Sequence, residues 1–148
     1  MKKYLLILLF LASCGYQPVF VNKNLKNLAF TKITVQGDKK MGNDIINFLN
    51  IKNSNITQNQ NELVLNSKFT TNEIAKNSKG EILYYQAKID LIFQIRKDNK
   101  IIEEKLFYDE YVYENRKNKY ELTKYQAEVK NNLVKNIVED IVFYLNLR

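Results

Sequence analysis

The chain has 148 residues and a formal net charge of +7, and it contains no His, no Trp and a single Cys. This composition removes the usual general base and the commonest metal ligand, and it excludes a disulfide within one chain. The length and an apolar content of 45% predict one domain with a modest core. Because the chain has no His and only one Cys, no metal site is predicted, and no cofactor is expected.

The N-terminus has the three parts of a bacterial lipoprotein signal. Lys2 and Lys3 give a positive start, and residues 4–12 form an apolar run. This run is shorter than the roughly 20 residues that a membrane-spanning helix needs. The two residues before Cys14 are small, which leaves room for a peptidase. The pattern predicts a signal peptide over residues 1–13 and lipidation of the Cys14 thiol.

The predicted anchor also suggests a compartment. Each buried methylene contributes about 0.8 kcal/mol, so several acyl chains on Cys14 would hold the chain firmly on a membrane. Gly15 follows the cysteine, whereas an Asp there commonly favours retention in the inner membrane. We therefore expect the periplasm-facing side of the outer membrane. The alternatives are a secretory signal with an incidental cysteine, or a buried thiol.

After the cysteine, residues 14–28 are expected to form a lipidated tether, because Gly15, Pro18 and several Asn break any periodicity. A single domain is then expected over residues 29–148. No second domain is predicted, since the remaining length suits one core.

In the first half of this domain, a predicted helix lies between two predicted strands. Residues 30–36 are rich in β-branched side chains and predict a strand. A short amphipathic helix follows within residues 43–49, with Asn43 or Asp44 as its cap. Residues 62–71 alternate between apolar and polar and predict a second strand, and a loop is expected over 72–81.

The strictest alternation lies over residues 83–95, where apolar side chains occupy the odd positions. This period predicts a strand with one face on a core and one face largely wet. Asp98 and Asn99 suit a tight turn, because both tolerate positive φ. Residues 101–113 return as the partner strand.

From Tyr120 to Leu147 the apolar residues recur every three or four positions, which predicts a long amphipathic helix. The order of elements is therefore β-α-β-β-β-α. It predicts an α+β, two-layer sandwich in which two helices cover one face of a four-stranded sheet. The opposite face of the sheet would stay available for contact.

Several stretches of the chain carry a likeness to a known family: Cys14 to Phe20, Ile33 to Val35, Asn43 to Leu49, Tyr85 with Ala87, and Tyr125 with Ala127. The opening from Cys14 to Phe20 is the most specific of them, and the rest is similar at the level of pattern, over nearly the whole chain after the signal. On these residues the chain resembles the LptE lipoproteins of lipopolysaccharide assembly, in their alphaproteobacterial form.

The resemblance implies a function as well as a fold. Proteins of this kind plug a large outer-membrane β-barrel, LptD, assist its assembly and contact lipopolysaccharide on its way to the outer leaflet. They are not enzymes. No binding motif of the family aligns residue by residue with this sequence.

Five basic residues are candidates for ligand binding, and we expect them to form one cluster at the predicted hairpin and the loop before it: Lys76, Lys79, Arg96, Lys97 and Lys100. Arg suits bidentate contact with phosphate, and Lys acts as a point charge. The hypothesis is contact with lipid A phosphates or with an acidic barrel lumen. The alternative is an ordinary charged hairpin tip. An exported chain is not expected to meet nucleic acid.

Tyr108, Tyr111 and Tyr113 crowd the last strand and are candidates for a partner interface, since Tyr combines a large apolar area with a polar tip. Packing within the core or on the sheet is the alternative.

Carboxylates on the same strand invite comparison with a glycosidase. Neighbouring strand residues point to opposite faces, so only Glu103 with Asp109, or Glu104 with Glu110, share a face. Lys105 lies between them, which favours a solvated ladder over catalysis.

Three functions remain in comparison. The leading one is a non-enzymatic assembly factor and barrel plug. The second is a stand-alone lipid- or envelope-binding lipoprotein of the periplasm. The third is a lipid-anchored hydrolase that would use the carboxylates.

Overall fold

The computed structural model of the protein describes residues 30–53 and 61–147. The predicted signal peptide, the tether and the lipidation site Cys14 lie outside the described residues. The elements are six in order: β1 (Lys32–Gly37), α1 (Lys39–Leu49), β2 (Asn61–Lys76), β3 (Ile82–Lys97), β4 (Lys100–Glu114) and α2 (Lys119–Asn146).

The four strands form one mixed sheet in the order β1-β2-β3-β4. β1 and β2 are parallel, as expected for strands joined through a helix, and both later pairs are antiparallel hairpins. The last strand, β4, therefore lies at an edge of the sheet.

Both helices cover the same face of the sheet, and the core lies between the layers. The alternate residues of β3 from Ala87 to Ile95 point toward the helices and are at most 1% exposed. Ile45 of α1 and Ile137 of α2 meet them from the helical layer, each fully buried. The predicted α+β two-layer fold is confirmed.

Two element boundaries differ from the sequence prediction. β2 continues to Lys76, through residues predicted as loop, because its backbone keeps pairing with β3 up to Ile82 across an irregular stretch near Ala75. The first helix begins at Lys39, and its cap is Asp38 rather than Asn43 or Asp44. The Asp38 carboxylate accepts a hydrogen bond from the Met41 N–H at 3.0 Å.

The turn between β3 and β4 is the one predicted. Asp98 and Asn99 both adopt positive φ, at 50° and 61°, a region that Asp and Asn tolerate better than most residues. The turn pairs Lys97 with Lys100, and an irregularity between Ile95 and Arg96 then shifts the register by one residue, so that Leu91 lies opposite Phe107.

Candidate functional site

The structure divides the five predicted basic residues between opposite ends of the sheet. Lys76 and Lys79 lie at the turn between β2 and β3, whereas Arg96, Lys97 and Lys100 flank the turn between β3 and β4. β3 connects these turns with 16 residues, which span about 50 Å. The prediction of a single basic cluster was therefore wrong, because a long strand, and not sequence proximity, sets the separation. Ligand binding by either group stays a prediction.

At the β3–β4 end, the polar side chains of the open face contact one another. Arg96 donates from Nη2 to Oε1 of Gln94 at 2.8 Å, and Gln94 donates onward to Glu104. The neighbouring Glu62 accepts from Thr34 at 2.7 Å. Lys97 and Lys100 are exposed. At this end, therefore, Arg96 is already bonded to an amide, whereas Lys97 and Lys100 stay accessible.

Glu62 is also the carboxylate of an ion pair with Lys32, at 2.9 Å. The hydrogen bond from Thr34 and the one from Lys32 hold the pKa of Glu62 below its ordinary value. Since Arg96 lies opposite Glu62 in the register, a negative charge on Glu62 offsets part of its positive charge.

The β2–β3 end carries a depression of about 690 Å³, formed where β4 leads into α2. Four tyrosines from three elements line it together with two cations, two carboxylates, an amide and an apolar side chain: Tyr84, Tyr111, Tyr113, Tyr125, Arg116, Lys117, Glu114, Glu121, Asn115 and Val112. Because these side chains and this depression lie at one end of the sheet, we call them the aromatic-basic pocket.

Tyr125 is the centre of this pocket. The guanidinium of Arg116 lies over its ring, 4.2 Å from the centroid, and the ring of Tyr113 meets it edge-on at 5.7 Å. A hydrogen bond with Tyr111, followed in importance by partial burial, raises the pKa of Tyr125. The phenol stays protonated, and the cation is held beside an aromatic face, where the two attract.

Asn115 leaves one buried acceptor in the pocket wall. Its N–H donates to the Leu83 carbonyl at 2.8 Å, and its Nδ2 donates to the Ile82 carbonyl at 2.9 Å. Its Oδ1 is buried and has no hydrogen-bond partner within the chain. A buried acceptor of this kind is costly unless a donor reaches it, so a ligand hydroxyl or a water suits the position.

The first turn of α2 also faces this end of the molecule. Asn118 caps the helix, and its Oδ1 accepts from the N–H groups of Tyr120 and Glu121 at 2.9 and 3.3 Å. Lys76 at the neighbouring turn pairs with Glu73 at 2.9 Å, and both side chains are about half exposed. The β2–β3 end therefore combines exposed cations with aromatic rings.

The three predicted tyrosines do not share a surface. Tyr113 is 3% exposed, faces the helices and stacks on Tyr85 at 5.6 Å. Tyr111 lies on the same side but at the pocket, and Tyr108 lies on the open face, 64% exposed. Burial leaves Tyr113 little area with which to meet a partner, whereas Tyr108 and Tyr111 stay available.

The four β4 carboxylates that invited comparison with a glycosidase lie as strand geometry requires, two on each face. Glu103 accepts from the Tyr144 hydroxyl, and Asp109 accepts from Asn136, both on the helical side. Glu104 and Glu110 lie on the open face, and six residues separate the members of each pair, about 20 Å along the strand. That distance exceeds the roughly 5–10 Å between glycosidase carboxylates.

Residues 30–53 and 61–147 contain no group of three or more His, Cys, Asp or Glu side chains placed to hold a metal ion. None of the helices in these ranges is long and apolar enough to cross a membrane.

Solved structures with a similar fold include lipoproteins from three bacteria. Rare lipoprotein B from Shewanella oneidensis matches with a TM-score of 0.52 at 10% identity, over 78% of this chain and 98% of that one. A minor lipoprotein from Acinetobacter baumannii matches at 0.55 and 14% identity, over 80% and 92%. An uncharacterized lipoprotein B from Nitrosomonas europaea matches at 0.57 and 10% identity, over 76% and 79%.

The chain has the fold of these lipoproteins. At identities of 10–14% the likeness concerns the fold and the order of its elements. No protein-family model matches the chain, and no curated protein matches its sequence.

Sequence reasoning missed most of the aromatic-basic pocket. Arg116 and Lys117 stand in the connection before α2, and Tyr125 reads as one apolar residue of the helical stripe. The signal is present in residues 111–121, a stretch rich in tyrosines and charged residues, but only the sheet register places Tyr84 beside it.

Proposed function

We propose that this chain is an LptE-like lipoprotein of the alphaproteobacterial type, anchored through Cys14 to the periplasm-facing side of the outer membrane. It assists the assembly of an LptD-type β-barrel, plugs that barrel and contacts lipopolysaccharide during export. The observation that carries the proposal is a predicted lipoprotein signal that ends at Cys14 and precedes a fold shared with bacterial lipoproteins. The resemblance of residues 14–20 to the opening of the family adds support.

The shape and chemistry of the sheet support the role of a plug. The sheet is about 50 Å long, and its open face is mostly polar or charged, with Lys68, Lys88 and Asp90 along its middle. The lumen of a large outer-membrane barrel is also polar. An elongated body with such a face suits a polar lumen, and the exposed apolar side chains of this face are concentrated on β4.

The contact with lipopolysaccharide is assigned to the aromatic-basic pocket. Phosphorylated sugars present a flat apolar ring face, hydroxyl groups and negative charge. Tyr84 and Tyr111 offer aromatic surface, Arg116 and Lys117 offer charge, and the Asn115 acceptor suits a hydroxyl. The β3–β4 end is a weaker candidate for binding this ligand, because Arg96 is already bonded to Gln94 and lies opposite Glu62.

The first prediction concerns the partner. When the full-length, lipidated protein is solubilised from native membranes and captured, we expect one β-barrel of LptD type to copurify in near-stoichiometric amount and to be identified by mass. A Cys14→Ala variant is the matched control, since it keeps the domain and loses the anchor. Recovery of the protein without any barrel contradicts the plug role and favours the stand-alone lipid- or envelope-binding alternative.

The second prediction concerns the ligand. Replacing Arg116 and Lys117 together by Ala removes two charge-assisted contacts, so we expect binding of the full chain to lipopolysaccharide to weaken by about tenfold or more. Affinity is measured in detergent with purified lipopolysaccharide, and thermal unfolding verifies that the variant is folded.

The matched control for that experiment removes the same charges at the other end of the sheet. A variant with Arg96→Ala and Lys97→Ala is expected to keep most of the affinity. If this pair weakens binding and the Arg116 and Lys117 pair does not, the ligand site belongs at the β3–β4 end.

A further inference from the structure

The outer edge of β4 presents free backbone groups. The Asn115 N–H donates to the Leu83 carbonyl directly across the hairpin, so the odd-numbered residues of β4 bond to β3. The even-numbered residues Leu106, Tyr108 and Val112 therefore direct their N–H and C=O groups away from β3. In the described part of the chain, no strand pairs with this edge.

Large apolar side chains accumulate on the same strand. The exposed fractions of Leu106, Tyr108 and Val112 are 54%, 64% and 47%, and those of Ile101 and Ile102 are 51% and 53%. Proteins normally shorten, charge or cover an edge strand, because a long apolar edge is a template for another strand. An edge strand of 15 residues with this composition indicates an interaction surface.

We propose that the β4 edge pairs antiparallel with the β4 edge of a second copy of this chain, about a two-fold axis through Phe107. In this register Lys105 lies opposite Asp109 of the second copy, and Leu106 lies opposite Tyr108. The two-fold axis generates each pair twice. Around the axis at Phe107, an apolar side chain thus meets an aromatic one and a cation meets a carboxylate.

Neighbouring registers lose this complementarity. A shift of two residues in one direction places Leu106 opposite Glu110 of the second copy, and a shift in the other places Lys105 opposite Phe107. Each shift sets a charge against an apolar side chain. Among these three registers, only the one centred on Phe107 sets opposite charges against each other, through Lys105 and Asp109.

Two features of the strand oppose the pairing and limit its strength. Glu104 falls opposite Glu110 of the second copy, although Gln94 donates to Glu104 and Lys88 lies opposite Glu110 within each chain. Asp109 also accepts from the Glu110 N–H at 2.9 Å, a bond that pairing would release. Asp109 would exchange that donor for Lys105 of the second copy.

The size of the contact fits a weak dimer. A 15-residue edge is about 50 Å long, and a strip about 12 Å wide along it buries on the order of 600 Å² per copy. The total of roughly 1,200 Å² is at the low end for specific interfaces. Such a dimer is readily dissociated by any partner that covers β4, including the barrel of the proposed function.

Cysteine cross-linking in membranes tests the register. Two differently tagged full-length copies are coexpressed, one with Leu106→Cys and one with Tyr108→Cys. These positions form a hydrogen-bonded pair with Cα atoms about 5.5 Å apart, which suits a disulfide. We expect a mixed disulfide carrying both tags, at a yield about tenfold above that of Leu106→Cys with Val112→Cys, a pair too far apart in this register.

Charge variants provide a second readout in the same assay. Lys105→Glu replaces the attraction to Asp109 by repulsion and should lower the yield of the 106–108 cross-link severalfold. Lys39→Glu makes the same change of charge on α1, away from β4, and should leave it unchanged. Glu104→Lys should raise the yield, because it removes the like-charge pair.

Three outcomes overturn the proposal. One is no mixed disulfide at positions 106 and 108, and another is equal yield at the 106–112 pair, which indicates random collision. The third is cross-linking of Tyr108→Cys to a different protein only, which assigns the edge to a foreign strand. None of these outcomes depends on whether a barrel copurifies, so failure here is distinct from failure of the plug role.

Discussion

At the scale of single residues, Asp38 forms hydrogen bonds with both helices and with the sheet. Its carboxylate caps α1 through the Met41 N–H and accepts from Lys130 of α2 at 2.7 Å. Its backbone N–H and C=O both bond to Ser67 of β2, at 2.8 and 3.0 Å. One residue thus ties both helices to the sheet.

The hydrogen bond from Lys130, followed by the one from the Met41 N–H, lowers the pKa of Asp38. A carboxyl with a lowered pKa in the folded state stabilises the fold above its ordinary pKa, near 4. This contribution is lost as the pH falls through the lowered folded value. Stability contributed by Asp38 is therefore full at neutral pH and absent in strong acid.

Two variants separate the cap from the ion pair. We expect Asp38→Asn to cost about 0.5–1 kcal/mol of unfolding free energy at pH 7, because Asn can still cap but cannot pair with Lys130. Asp38→Ala should cost about 1 kcal/mol more, through loss of the cap. The measurement is urea unfolding at pH 7 and again at the lowest pH where the fold persists.

The cost of Asp38→Asn should shrink in acid, whereas the extra cost of Asp38→Ala should change less. A cost of Asp38→Asn that is the same at both pH values would show that the ion pair with Lys130 adds no stability.

At the scale of elements, the close approach of α1 to β1 depends on a glycine. A Cβ at Gly42 would lie 2.4 Å from Cγ1 of Val35, nearer than side-chain atoms approach. Val is β-branched and has few rotamers, so it cannot turn away cheaply. Gly in a helix interior costs up to about 1 kcal/mol relative to Ala, and contact with the sheet is the physical reason for accepting that cost.

Gly42→Ala is therefore expected to destabilise the domain by about 1–3 kcal/mol, through overpacking that exceeds the gain in helix propensity. Asn43→Ala, on the exposed side of the same helix, is the matched control and should change stability by less than about 0.5 kcal/mol. Chemical unfolding of both variants gives the comparison. A Gly42→Ala variant more stable than the parent would mean that α1 can move away from β1.

Element boundaries show where local reading stops. β2 runs through Asn72 to Lys76, which the sequence predicted as part of a loop, because the partner strand β3 offers backbone groups over that whole length. The alternating pattern of β3 predicts a strand without knowledge of its neighbours. The last residues of β2 have no such pattern, and they form a strand because their backbone pairs with β3.

At the scale of the whole molecule, the sheet places some residues that are near in sequence far apart in space, and it places some that are distant in sequence side by side. Lys76 and Arg96 are 20 positions apart, yet they lie at opposite ends of a hairpin. Tyr84 and Arg116 are farther apart in sequence and line one pocket. Both proposed contacts, with lipopolysaccharide and with a second copy, depend on this arrangement: the first uses an end of the sheet and the second uses an edge.

The sequence by itself determined the class of the fold, the order of its elements, the tight turn at Asp98 and Asn99 and the predicted lipid anchor at Cys14. These follow from local chemistry: the period of apolar residues, the backbone tolerance of Asp and Asn, and a short signal. Only the tertiary structure decided the length of β2, the burial of Tyr113, the free edge of β4 and the pocket around Tyr125. Each depends on which strands are neighbours, and strand register is set by contacts between residues far apart in the chain.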